Sequence, residues 1–146
     1  MRDFVTLGGG SDAVSLGNGD DYVNAANASN DSIDLGVGND TVEFASDMSS
    51  LDTVLGDIGT DVLTYNDTTS VDGSELNNVY DIERVEGSKV ADVLLGDGGN
   101  NVFYGGGGND FIDGQRGNDM LLGDAGNDTV DGGEGRDTVL GGAGND

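Results

Sequence analysis

From Gly105 the chain reads GGGGNDFID, GQRGNDMLL, GDAGNDTVD and GGEGRDTVL, and it continues as GGAGND to Asp146. These units stand in register, nine residues each. A fixed period of this kind marks a repeat architecture, in which one unit cannot bury its apolar face until it stacks on its neighbours. Two looser units, GSKVADVLL from Gly87 and GDGGNNVFY from Gly96, lead into the run. Further back the rhythm is worn but legible. LGGGSDAVS starts at Leu7, LGNGDDYVN at Leu16, LGVGNDTVE at Leu35 and GDIGTDVLT at Gly56, with lengthened units over 25–34 and 44–55.

The segment 65–86 breaks the rhythm and ends in VYDIERVE from Val79. It reads as a loop followed by a strand. The expected organisation is degenerate repeats over 1–64, this interruption over 65–86 and regular repeats over 87–146, in one continuous solenoid.

The strict run closely resembles the RTX (repeats-in-toxin) nonapeptide G-G-x-G-x-D-x-U-x, where U is a large aliphatic residue and the repeat is of the calcium-binding parallel β-helix type. The resemblance is strict over 105–146, degenerate before that, and absent over 65–86. It implies an all-β fold, a parallel β-roll (a β-helix solenoid) with calcium bound in the turns. Six residues of each unit would make a turn and three a short strand. It also implies a secreted or cell-surface bacterial protein, exported by a type I system.

Elementary chemistry agrees with the resemblance. In the unit from Gly123, Gly126 adopts positive φ freely and Asn127 tolerates it better than most residues. Such a turn points several carbonyls into one concavity, and Asp128 adds a carboxylate at its end. Calcium takes six to eight hard oxygen ligands in flexible geometry. The following Thr129-Val130-Asp131 alternates, which sends Val130 inward. The same inward slot holds Val14, Val23, Ile33, Val42, Val54, Leu63, Leu94, Phe103, Ile112, Leu121 and Val139. Two repeats make one coil with turns on opposite edges, so repeat n lies under repeat n+2 and an ion fits between their turns.

The candidate ligands are therefore the sixth-position carboxylates Asp110, Asp119, Asp128, Asp137 and Asp146, with Asp92, Asp12, Asp21, Asp31, Asp40, Asp52 and Asp61 in the worn units. The turn glycines Gly106, Gly108, Gly117, Gly126, Gly133, Gly135 and Gly144 are candidates for carbonyl donation. In an isolated turn each Asp would read as a turn former bonding its own backbone. The in-register run favours ligation of several Ca2+ ions. Asn101 offers only a neutral amide at its slot, and Val90 replaces the turn glycine beside Asp92. Asp113, Asp124 and Asp131 lie off the sixth position and read as solvent-facing charge.

Composition narrows the rest. The net charge is −24, with five Lys+Arg against 29 Asp+Glu. A nucleic-acid binder needs a basic face, so that partner is excluded. No stretch is long and apolar enough for membrane insertion. Absence of Cys and His removes thiolate and imidazole ligands and most nucleophile–base pairs. Paired carboxylates can cleave glycosides, but here each regular Asp already has a ligand role. The chain is expected not to be an enzyme by itself. It is expected to be a calcium-binding structural module, of surface-layer or adhesin type, or alternatively the folding and secretion module of a secreted enzyme or toxin. Its partners are then calcium, the rest of a larger parent protein, or copies of itself. One apolar side chain per repeat is a thin core, so the chain is expected to be largely disordered without calcium. The last unit stops before its strand, which suggests a piece of a longer exported protein.

Overall fold

The computed structural model describes residues 1–25, 30–44, 53–65 and 79–146. Asp52, and residues 66–78 of the interruption, lie outside that set. Among the described residues every regular element is a strand, and every strand pair is parallel.

Strands of two to four residues alternate between two faces. One face is a continuous eight-stranded sheet of β1 (Phe4–Thr6), β3 (Tyr22–Asn24), β6 (Thr41–Phe44), β9 (Val62–Tyr65), β11 (Arg84–Glu86), β13 (Val102–Tyr104), β16 (Met120–Leu122) and β19 (Thr138–Leu140). The other face has two parts. A four-stranded sheet holds β2 (Ala13–Ser15), β4 (Ser32–Asp34), β7 (Thr53–Leu55) and β10 (Val79–Tyr80). A three-stranded sheet holds β12 (Val93–Leu95), β14 (Phe111–Asp113) and β17 (Thr129–Asp131). Two short ribbons run within the turns: β5 (Val37–Gly38) pairs with β8 (Ile58–Gly59), and β15 (Arg116–Gly117) with β18 (Glu134–Gly135). This is a parallel β-solenoid with two repeats per coil.

Register follows the inward slot. Ile112 pairs with Val130, Leu121 with Val139, Val23 with Val42 and Val42 with Leu63. Val23, Ile33, Val42, Val54, Leu63, Leu94, Phe103, Ile112 and Leu121 are buried, while Val14 and Val130 are partly so. Val139 is exposed. Val5 and Val85 also hold the inward slot, against Val23 and against Leu63 and Phe103. The first part of the stack carries a second inward row. Leu7, Ala25, Leu35, Phe44 and Tyr65 begin their turns and are buried, and the rings of Phe44 and Tyr65 stack at 5.9 Å.

Coil length is constant towards the C-terminal end and varies before it. The step from one coil to the next is 18 residues from Asp110 to Asp128, but 19 from Asp21 to Asp40, 21 from Asp40 to Asp61 and 22 from Asp61 to Glu83. At the widest step β11 pairs directly with both β9 and β13. Only Asp81, Ile82 and Glu83 separate β10 from β11. That turn is too short for the repeat motif, and Ile82 is buried in it. Arg84 braces the region: its guanidinium contacts Glu86 at 2.5 Å and lies 4.7 Å over the Tyr104 ring.

Positive φ falls at the fourth turn position, as expected for Gly126 (φ 159°) and seen again at Gly108 and Gly117, and also at the second. Gly106 has φ 93°, Gln115 61°, Asp124 66° and Gly133 79°. A non-glycine residue is strained there.

Candidate metal centre

Each turn carries its sixth residue to the start of the next strand, where the coil on either side covers it. Asp21, Asp31, Asp40, Asp61, Asp92, Asp110, Asp119 and Asp128 are all buried. Asp12 and Asp137 are half-buried, and Asp146 is exposed. A carboxylate buried this way needs donors. The first comes from the coil below. The Asp110 backbone N–H donates to Asp128 Oδ1 at 2.9 Å, Asp119 to Asp137 at 3.0 Å and Asp128 to Asp146 at 3.1 Å. Earlier coils repeat it: Asp12 donates to Asp31, Asp21 to Asp40, Asp40 to Asp61, Asp92 to Asp110, and Asn101 to Asp119.

The other carboxylate oxygen is left over. Oδ2 of Asp21, Asp40, Asp61, Asp110, Asp119 and Asp128 is buried with no hydrogen-bond partner. An unsatisfied charged oxygen is costly. Burial pushes the Asp110 carboxyl up to about 6, helped by the charges of Asp92, Asp128 and Asp124 and opposed by the backbone N–H of Asp92. Asp61 is pushed up to about 6 in the same way, with Asp40, Glu83 and Asp57 adding to the burial. Asp40 and Asp119 are raised too, chiefly by burial.

In Asp61, Asp110, Asp119 and Asp128 this leftover oxygen faces the glycine that heads its own turn. A methyl built on Gly105 would sit 2.4 Å from Asp110 Oδ2 and 2.7 Å from the Gly123 carbonyl oxygen of the coil above. On Gly114 it would meet Asp119 Oδ2 at 2.6 Å and the Gly132 carbonyl at 2.9 Å; on Gly123, Asp128 Oδ2 at 2.5 Å and the Gly141 carbonyl at 2.4 Å. A carboxylate of one coil and a carbonyl of the next thus converge on a cradle that only glycine leaves open. The donors are all oxygen, which suits calcium and not zinc or copper. Among the described residues no group of three or more His, Cys, Asp or Glu is placed to hold a metal. The reason is structural: each edge supplies one carboxylate per coil, so carbonyls must complete the shell. When bound, a dication there would neutralise the stacked carboxylates.

The glycines singled out from the sequence occupy two other rows. Gly106 and Gly133 hold the positive-φ second position, and the Gly106 carbonyl accepts the Ala125 N–H. The carbonyls of Gly108, Gly117 and Gly126 point at Gly126, Gly135 and Gly144 of the coil above, with 1.4–1.5 Å left for a Cβ. The head glycines Gly105, Gly114 and Gly123 open the motif but were not among the candidate site residues.

Two further sixth-position residues escaped the repeat pattern. Asp3 donates its N–H to Asp21 Oδ1 at 2.6 Å, and Glu83 Oε2 accepts from the Asp61 N–H at 2.8 Å. The two looser units from Gly87 and Gly96 satisfy their sixth-position side chains locally. Ser88 donates its N–H to Asp92 Oδ2 at 2.6 Å and sets its hydroxyl 3.0 Å from both carboxylate oxygens. Asn101 Oδ1 accepts from the Asp97 N–H at 3.3 Å. Of the off-position acids, Asp113 and Asp131 accept the N–H two residues on, from Gln115 and Gly133, and so shape turns.

The fifth position forms a ladder of its own. Asn109 Oδ1 accepts from the Asn127 N–H at 2.8 Å, Asn127 from Asn145 at 3.0 Å, Asn100 from Asn118 at 2.7 Å and Asn118 from Arg136 at 3.0 Å. Its polarity is opposite to that of the sixth-position ladder. Here the side chain accepts from the coil above; there it accepts from the coil below.

Stacked turns with one buried carboxylate each, joined across coils by an oxygen-lined cradle, define a calcium-binding β-solenoid. The model of the RTX calcium-binding nonapeptide repeat matches the chain in four copies, over residues 2–23, 25–42, 86–121 and 113–146. The chain belongs to this repeat family. A search of curated proteins finds no match.

Proposed function

We propose that this chain is the calcium-binding structural module of a secreted or cell-surface protein, of surface-layer or adhesin type, exported by a type I system and folding as it meets calcium outside the cell. It is a scaffold and not a catalyst. The observation that carries the reading is the buried, unpartnered Oδ2 of Asp110, Asp119 and Asp128 beside a carbonyl of the next coil. Cytosolic calcium is too scarce to fill weak sites, whereas extracellular modules work at affinities of about 10⁻⁴–10⁻³ M. A charge of −24 opposes compaction of the unfilled chain. Titration with calcium, followed by circular dichroism and hydrodynamic radius, tests the reading. Calcium should raise β signal and shrink the chain, and magnesium, which demands octahedral geometry, should do far less. No change in either signal with calcium overturns it.

A further inference from the structure

The geometry points to a division of the stack: calcium is held in the glycine-headed turns, while the leucine-headed turns Leu7–Asp12, Leu16–Asp21 and Leu35–Asp40 are sealed by their own side chains and bind none. This rests on the calcium reading above and says where in the chain it applies.

Leu35 and Gly114 head equivalent turns on the same edge. The Leu35 N–H donates to the Leu55 carbonyl at 3.0 Å, and the Gly114 N–H to the Asp131 carbonyl at 2.9 Å. Asp40 Oδ1 accepts from the Asp21 N–H as Asp119 Oδ1 accepts from Asn101. The backbones therefore agree, and the head residue differs. At Gly114 the place of a Cβ is the cradle of Asp119 Oδ2 and the Gly132 carbonyl. At Leu35 an L side chain leaves from that place, and it is fully buried in the core. An ion at Asp40 would have to drive Leu35 out of the core. Asp40 Oδ2 alone is one oxygen, where calcium takes six to eight.

The same substitution changes what holds each part together. The leucine-headed coils have two inward apolar rows, the head row and the strand row, and the glycine-headed coils have one. The described residues of 3–25 and 30–44 thus own a core that does not depend on an ion. Residues 105–146 have traded that row for cradles. The expectation of disorder throughout the calcium-free chain then holds only for the later coils.

The test is amide hydrogen exchange on the full chain, in chelator and in saturating calcium, with bound ions counted by equilibrium dialysis. In chelator, amides of 3–25 and 30–44 should be protected and those of 105–146 should exchange freely. Calcium should raise protection over 105–146 by about a hundredfold or more and change 3–25 and 30–44 by less than about threefold. Gly114→Leu should bind one ion fewer, and Leu35→Gly should lose the chelator-state protection of its coil. Should Gly114→Leu fail to fold, the exchange map of the unaltered chain decides alone. Equal calcium-driven protection of both parts, or an unchanged ion count in a folded Gly114→Leu, overturns the division while leaving calcium binding intact. No bound ion anywhere would overturn the calcium reading itself.

Discussion

The backbone N–H of Asp110 donates to Oδ1 of Asp128, 18 residues on, while Asp128 Oδ2 stays buried and unpartnered. One carboxylate therefore ties two coils and keeps an oxygen in reserve. Asp128→Ala should cost about 1–3 kcal/mol at saturating calcium, because it removes an acceptor from a buried donor. A double-mutant cycle should give Asp110 and Asp128 a coupling of about 0.5–3 kcal/mol and leave Asp119 and Asp128, on opposite edges, additive within about 0.5 kcal/mol. Equal coupling of the two pairs would contradict the coil.

The fifth-position ladder predicts a separable effect. Asn109→Ala removes the acceptor of the exposed Asn127 N–H and touches no cradle. Stability in saturating calcium should fall by about 0.5–1.5 kcal/mol. The number of ions bound, counted by dialysis, should stay the same. A lost ion would place Asn109 among the ligands.

Asp124 has a φ of 66° and an exposed side chain, and its charge helps raise the Asp110 carboxyl. Asp124→Gly should relieve both, stabilising by up to about 1 kcal/mol. Asp124→Val should destabilise by about 1–2 kcal/mol. Denaturant midpoints of the two variants, moving in opposite directions, are the check.

Buried carboxyls give the chain an acid response whose sign depends on calcium. Asp61 and Asp110 stand at about 6 when folded, against an ordinary 3.8. In chelator the folded form holds more protons, so their stabilising contribution is complete below 3.8 and lost as pH rises through about 6. With calcium the proton competes for the same oxygens, so the calcium midpoint should rise as pH falls below about 6. Calcium titrations at several pH values measure this. A midpoint independent of pH would exclude these carboxyls as ligands.

The strict repeat made the fold legible because alternation and period are local properties: from Val130 the inward slot is counted back in nines to Leu94, and before the interruption the Asp-x-apolar spacing carries it to Val14. What depended on neighbours 18 to 22 residues away could not be read. The role of Asn109 appears only once Asn127 lies above it. Glu83 stands in a turn stripped of glycine, so no motif marks it as the acceptor of the Asp61 N–H. Asp3 has too little chain before it to show a motif. The head glycines were legible as part of the motif, but their use lies in the side chain they lack, which shows only when the next coil is in place.

The unequal coils have a consequence for how the stack finds its order. Where every step is 18 residues, a coil can settle on the wrong neighbour and still align its valines and aspartates. Such shifted arrangements are nearly degenerate. The steps of 19, 21 and 22 residues fit only one neighbour each, so any shift there leaves strands unmatched. The irregular coils number the pages that the uniform ones leave interchangeable.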